Sequence, residues 1–280
     1  MDISLGRMLY YTMTVLPPVM LKMLSGGSVT MASNTATFFE LPGSTIQIQQ
    51  RIYGTPKLHF LILHDNENTG KEAAEIYCGA IGGSITELCY GEVRNITYGD
   101  KKGTYSFDPN QIFESGGLYK SMQFYSDQKP AHKEIQLVRS FADSLLVCYK
   151  RLGVQCFITL HNNTEGDFNI HSYVSGKLKA VRDRVYINRT MDPDDLIFVT
   201  ETAHYAYLRR AGVNVVLQSI SAKDGSLSVY AQRCGIPYVN IEVQHGHWAE
   251  NVRLIFIVEQ MFKDLGQSTR SLTNKKINNG

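Results

Sequence analysis

The sequence predicts an α/β fold with a mixed, largely parallel central sheet flanked by helices on both faces. Three observations lead there. LHFLILHD, VQCFITLH, DDLIFVTE, NVVLQSI and PYVNIEV are apolar runs of strand length, the pattern of strands covered on both sides. Between them lie segments with helical periodicity, so strands and helices alternate along the chain. The chain has 280 residues, 43% of them hydrophobic and 19% charged, enough apolar material for one domain of this kind and no composition that favours extensive disorder.

The elements follow in order. Residues 1–40 form an N-terminal segment that stands apart: a single early Arg7, an apolar stretch from Met8 to Leu24, then small residues up to Ala32, as in a signal peptide. Pro17, Pro18 and Lys22 interrupt that stretch, so a disordered N terminus fits as well. With a cleaved signal the protein is exported or periplasmic; without one it is cytoplasmic. No later segment offers the ~18 uninterrupted apolar residues of a membrane span. The Asn-x-Thr triplets at Asn95, Asn162 and Asn188 would matter only in a eukaryotic secretory route.

Residues 41–266 form the folded domain. From Thr45 to Tyr53 residue types alternate as in a solvent-facing edge strand. LHFLILHD is a buried strand that delivers His64 at its end. TGKEAAEIYCGAI, opening on the capping candidate Thr69, is the helix that follows. KEIQLVRSFADSLLVCYKRLG is a helix closed by Gly153, and the strand VQCFITLH after it again ends at a histidine, His161. DDLIFVTE and NVVLQSI are strands, LSVYAQRCG a helix, PYVNIEV a strand carrying Glu242, and WAENVRLIFIVEQMFKDLG a long amphipathic helix ended by Gly266. Residues 267–280 are a polar tail with no core to join.

Charge and cysteine content narrow the function classes. With 28 basic against 26 acidic side chains the net charge is +2, and no Lys/Arg block is interleaved with aromatics, so nucleic acid is not expected as a partner. The five cysteines are widely spaced and form no CxxC knuckle; an odd number leaves at least one unpaired, and buried, inert thiols are expected.

In such sheets ligands bind beyond the carboxyl ends of the strands, where His64, His161 and Glu242 fall. His64 and Glu67 form an HxxE unit whose two side chains can converge on one cation from a strand-to-loop turn. Imidazole and carboxylate suit zinc, and a catalytic zinc needs three protein ligands and one open position; His161 is the natural third. Singly, each histidine also fits a loop residue satisfied by hydrogen bonds.

The order of these motifs resembles the zinc carboxypeptidase superfamily, which includes digestive carboxypeptidases, murein-peptide amidases and the aspartoacylase and succinylglutamate desuccinylase deacylases. The resemblance runs from about Leu58 to His247. It implies a zinc carboxypeptidase-like fold and one Zn2+ per chain on His64, Glu67 and His161. By the same resemblance Glu242 is the general acid/base and Arg94 stabilises the developing oxyanion. Asp108, Asn110 and Gln111, in YSFDPNQIF, occupy the substrate-binding segment. The family has Arg where this chain has Gln111, so the grip on a terminal carboxylate is weakened or moved, with Arg139, Arg182 and Arg184 as stand-ins. Asp65 could orient His64, and His245 and His247 could line the cleft. The expected activity is zinc-dependent hydrolysis of an amide bond in a peptide, a cell-wall peptide among the candidates. The alternatives are an N-acyl-amino-acid deacylase of the aspartoacylase type and a zinc-site fold kept as a non-catalytic binding module.

Overall fold

The computed structural model describes residues 28–100, 103–166 and 168–266. Most of the N-terminal segment read as a signal or disordered region, and the polar tail at 267–280, lie outside the described residues.

Eleven strands and six helices are present among the described residues. Strands β1 (Met31–Leu41) and β2 (Ser44–Tyr53) form a hairpin; β3 (His59–Ile62) leads into helix α1 (Asn68–Ile81) and β4 (Gly83–Cys89). A second hairpin, β5 (Ile96–Asp100) and β6 (Gly103–Phe107), precedes α2 (Ser115–Tyr125) and α3 (His132–Lys150). Then come β7 (Phe157–Asn163), β8 (Arg182–Tyr186), β9 (Leu196–Val199), α4 (Thr202–Arg210), β10 (Val215–Gln218), α5 (Leu227–Arg233), β11 (Tyr238–Gln244) and α6 (Trp248–Asp264). No helix is long and apolar enough to cross a membrane among the described residues.

Nine strands make one sheet in the order β1-β2-β4-β3-β7-β11-β9-β10-β8, and β5-β6 stands apart as a two-stranded sheet. The four central strands β4, β3, β7 and β11 are mutually parallel, and β9 pairs parallel with β10; the pairings of β1 with β2, β2 with β4, β11 with β9 and β10 with β8 are antiparallel. The sheet is therefore mixed, with a parallel centre, as predicted.

Alternate residues along each strand divide between two cores, which explains the apolar runs. Phe60, Ile62, Ile158, Leu160, Ile197, Val239 and Ile241 pack with α1, α4 and α6 on one face. Leu61, Leu63, Phe157, Phe198, Val216 and Tyr238 pack with α2, α3 and α5 on the other. On that second face the end of β7 and β11 turns polar. Thr159 Oγ1 meets Tyr238 Oη at 2.7 Å and donates to Asn240 Oδ1 at 3.1 Å, and Asn240 Nδ2 donates to Glu242 Oε2 at 3.2 Å.

Three sequence expectations are corrected. The segment Thr45–Tyr53 is not an edge strand: β1 pairs with β2 over ten rungs and takes the edge itself, through a turn at Gly43 with φ 71°. Strand β1 thus starts inside the segment set apart as residues 1–40. Thr69 does not cap α1; Glu67 holds the N-cap position without a side-chain cap, and Thr69 Oγ1 accepts from Gly246 N–H at 2.9 Å. All five cysteines are free, with Cys78, Cys148 and Cys156 buried and Cys234 exposed.

Candidate metal centre

The turn after β3 and the end of β7 carry the histidines, and one glycine sets their spacing to Glu67. A Cβ on Gly70 would sit 2.8 Å from Leu160 Cβ, inside ordinary contact, so glycine lets the start of α1 lie against β7. Glu67, at the head of that helix, is thereby placed beside His161.

His64, Glu67 and His161 are 1%, 2% and 4% exposed, and their ligand atoms lie within 4.8 Å of one another. His64 Nδ1 is 3.1 Å from His161 Nδ1 and 2.9 Å from Glu67 Oε1, and His161 Nδ1 is 2.6 Å from Glu67 Oε2. Donors around zinc at about 2.0–2.1 Å are separated by about 3.3 Å, close to the 3.1 Å between the two ring nitrogens, and each nitrogen has one Glu67 oxygen beside it. Two imidazole nitrogens and a carboxylate, buried and turned toward one another, are donor types that zinc takes, so the group fits a metal ion.

The charges around the group are strongly coupled. Burial alone would lower the pKa of His64, but the Glu67 and Asp108 carboxylates outweigh it and hold the imidazole at about 9. Burial opposes the ionised form of Glu67 too, and the two histidines nevertheless hold it well below the usual carboxylate range. Glu242 is moved upward: burial raises it, His161 opposes, and the Glu67 charge adds to the rise. Glu242 and His161 are Cα partners on adjacent parallel strands, with side chains toward the same face.

The remaining predicted residues sort as follows. Asp108 Oδ1 lies 2.9 Å from His64 Nε2, so Asp108 orients that imidazole; this is the position expected of Asp65. Burial would raise the Asp108 carboxyl, and the hydrogen bond and charge of His64 hold it below its ordinary value. Asp65 turns away, its Oδ2 accepting from the N–H groups of Tyr90, Gly91 and Glu92 at 2.5, 2.7 and 2.8 Å. Arg94 Nη1 donates to Glu67 Oε1 at 2.9 Å, with Nη2 3.7 Å from Asp108 Oδ2, and its side chain is half exposed. Asn110 Oδ1 accepts from Leu227 N–H at 3.3 Å, and Gln111 closes the 3-10 turn Pro109–Gln111.

None of the three arginines offered as stand-ins bonds to the metal group. Arg139 donates to Ser115 Oγ, Arg182 Nε to the Tyr173 carbonyl at 2.8 Å, and Arg184 pairs with Asp183. His247 meets Asp195 at 3.1 Å and His245 is exposed, so neither reaches the His64–His161 pair. Two tyrosines were not read from sequence. Tyr90 Oη donates toward the carbonyls of Leu63 and Arg94 and accepts from Asp65 N–H, tying Arg94 to the ligand loop. The buried Tyr173 phenol is pushed up by burial first and then by the charge of Glu242. With sixteen tyrosines in the chain, no local motif singles these two out.

No protein-family model and no curated protein matches the chain. Among solved structures it is similar to a candidate metallopeptidase from Shewanella amazonensis (12% identity, TM-score 0.40, 85% of this chain and 88% of that one). A second such protein, from Shewanella baltica, gives 12% identity and a TM-score of 0.39 over 83% of this chain and 86% of that one. A variant of the cell shape determinant protein Csd4 from Helicobacter pylori gives 14% and 0.35, over 79% of this chain and 53% of that one.

Proposed function

We propose that this chain is a zinc-dependent hydrolase that cleaves an amide bond in a peptide or an acyl-amino acid, with Glu242 as general acid/base. One observation carries the reading. His64 Nδ1, His161 Nδ1 and the Glu67 carboxylate converge in one buried group, and Glu242 sits on the same rung as His161 at the carboxyl edge of the sheet. Zinc bound there would supply Lewis-acid activation of a carbonyl and of water.

The chain's own residues supply the rest. Asp108 fixes the His64 ring with Nδ1 toward the metal position. Glu242 takes the proton of the attacking water and returns it to the leaving nitrogen, and the raised affinity of its carboxylate for a proton suits both steps. Arg94 holds a cation beside Glu67 and Asp108, where negative charge develops on the carbonyl oxygen. At Gln111 the chain offers neutral hydrogen bonds in place of a guanidinium. Substrates lacking a free carboxylate at that position are therefore accepted about as well as those bearing one.

The test is zinc stoichiometry and single-turnover hydrolysis over murein peptides, C-terminal dipeptides and acyl-amino acids. His161→Ala should fall from about one zinc per chain to near none after dialysis. Glu242→Gln should keep its zinc while turnover falls by at least roughly a hundredfold. A zinc-loaded Glu242→Gln protein as active as the parent removes the proposed mechanism.

A further inference from the structure

Tyr238, Asn240 and Glu242 alternate along β11 toward one face of the sheet, and Thr159 and His161 alternate along β7 toward the same face. The register pairs Thr159 with Asn240 and His161 with Glu242. A rung made only of polar side chains therefore lies directly beneath the rung that carries His161 and Glu242. Thr159 is 0% exposed and Tyr238 2%, on a face where the neighbouring strand residues Leu61, Phe157 and Phe198 are apolar. Buried polar groups are costly there unless each finds its partner.

What each group can donate fixes the direction of every bond in the series. An ionised carboxylate only accepts, so at the 3.2 Å contact the amide turns Nδ2 to Glu242 Oε2. Asn240 Oδ1 then faces Thr159 Oγ1 at 3.1 Å and accepts its one proton. Thr159 is left as an acceptor at 2.7 Å, so the Tyr238 hydroxyl donates to it. Every proton in the series is directed toward Glu242, and donors aligned in this way polarise one another. Turning the amide over would set Oδ1 against the carboxylate, so the Thr159 hydroxyl locks the orientation that Glu242 needs.

We propose that Asn240 is a positioning residue for Glu242: its amide, held by Thr159 and Tyr238, anchors Oε2 and leaves Oε1 to the attacking water. The inference rests on the general acid/base role given to Glu242 above. The shared rung fixes only the backbone and Cβ of Glu242, and the carboxylate still turns about χ1, χ2 and χ3. One hydrogen bond from the residue two places earlier on the same face removes that freedom. The orientation entropy of the reacting group is thus met before substrate arrives.

The test is steady-state kinetics of the full chain on the murein peptides, C-terminal dipeptides and acyl-amino acids, with zinc content and 15N–1H spectra of the same preparations. Asn240→Leu should keep about one zinc per chain and lower kcat by about tenfold to hundredfold, with KM within about twofold, as for a lost hydrogen bond to a charged group. Thr159→Val leaves Asn240 in place and frees its amide to turn. It should lower kcat by about threefold to tenfold, and Thr159→Ser, which keeps the hydroxyl, should recover most of that loss. In spectra of the parent the two Asn240 side-chain amide protons should be well separated and slow to exchange with solvent, and Thr159→Val should bring them together and speed their exchange. A folded, zinc-loaded Asn240→Leu protein with parental kcat, or with a change in KM alone, overturns the proposal. So do Asn240 amide protons in the parent that exchange as fast as those of an exposed asparagine, a measurement that decides even if both variants fail to fold. A parent that turns over none of the substrates removes the hydrolase and this role with it, whereas an active parent beside an equally active Asn240→Leu removes this role alone.

Discussion

Asp108 makes the two histidines of the metal group unequal. It holds Nε2 of His64 at 2.9 Å, whereas Nε2 of His161 is buried without a partner. A ring held by a carboxylate is a better oriented and more basic ligand. Asp108→Asn should therefore lower zinc affinity by roughly 10- to 100-fold with stoichiometry intact at saturating metal, as measured by competition with a chromophoric chelator. Unchanged affinity would place Asp108 outside the metal's support. His59 shows the opposite use of a buried imidazole. It is 6% exposed, 2.7 Å from Ser84 Oγ, and burial lowers its pKa to about 4. The folded state therefore binds a proton less readily than the unfolded chain, whose histidine titrates near 6.5. Stability is full above that value and is lost as pH falls toward 4. Between pH 7 and pH 4.5 the parent should lose about 2 kcal/mol more than His59→Asn, by urea unfolding of both proteins without metal. Parallel pH profiles for the two would show that His59 is not the group responsible.

Among the elements, the segment between β4 and β5 does most to bring Arg94 to the metal group. It is held by three backbone N–H groups on Asp65 and by the Tyr90 hydroxyl, and Glu92 within it has φ 58°. Asp65→Ala should cost roughly 1–3 kcal/mol of stability and lower kcat/KM about tenfold, while zinc content stays at one. In an Arg94→Ala background the same change should add little to the loss of turnover, because both act through one guanidinium. Additive losses would separate Asp65 from Arg94. The strands that carry the histidines were legible because β3 and β7 are covered on both faces and read as apolar runs. Strand β4 was not, although it is equally buried: Ser84, Thr86 and Glu87 are polar residues satisfied by His59, Gln50 and Arg51, partners distant in sequence. Strand β8, RDRVY, is a charged edge, and β1 is largely exposed, so neither has an apolar signature. That His64, Glu67 and His161 come together was readable from residue type and from the two histidines' places at strand ends; their use as metal ligands belongs to the proposed function. Asp65 was expected to orient His64 and Asp108 does so instead, because adjacency in sequence does not reveal which carboxylate reaches the outer nitrogen of a ring.

For the molecule as a whole, the metal group joins the β3 turn, the head of α1 and the end of β7, drawing on parts of both cores. An ion bound only in the folded state adds RT ln(1 + [L]/Kd), about 4 kcal/mol at a thousandfold excess over Kd. Chelation should then lower Tm by about 8 to 16 °C for a domain of this size, and His161→Ala should already melt low and ignore the chelator. A parent whose Tm does not respond to chelator, yet which elemental analysis shows to have lost its zinc, would mean that the ion contributes nothing to the fold. The shared rung of His161 and Glu242 has a further meaning for how such a protein can change over generations. Spacing set by a backbone ladder cannot drift: one inserted residue in β11 turns the carboxylate to the opposite face, and two displace it by about 6.6 Å. Under the proposed function, the distance between His161 and Glu242 is inherited as a discrete unit, while the loops beyond the strand ends carry no such constraint. On that reading mutation retunes selection more readily than chemistry, and a designer grafting new loops onto this edge would inherit the same separation.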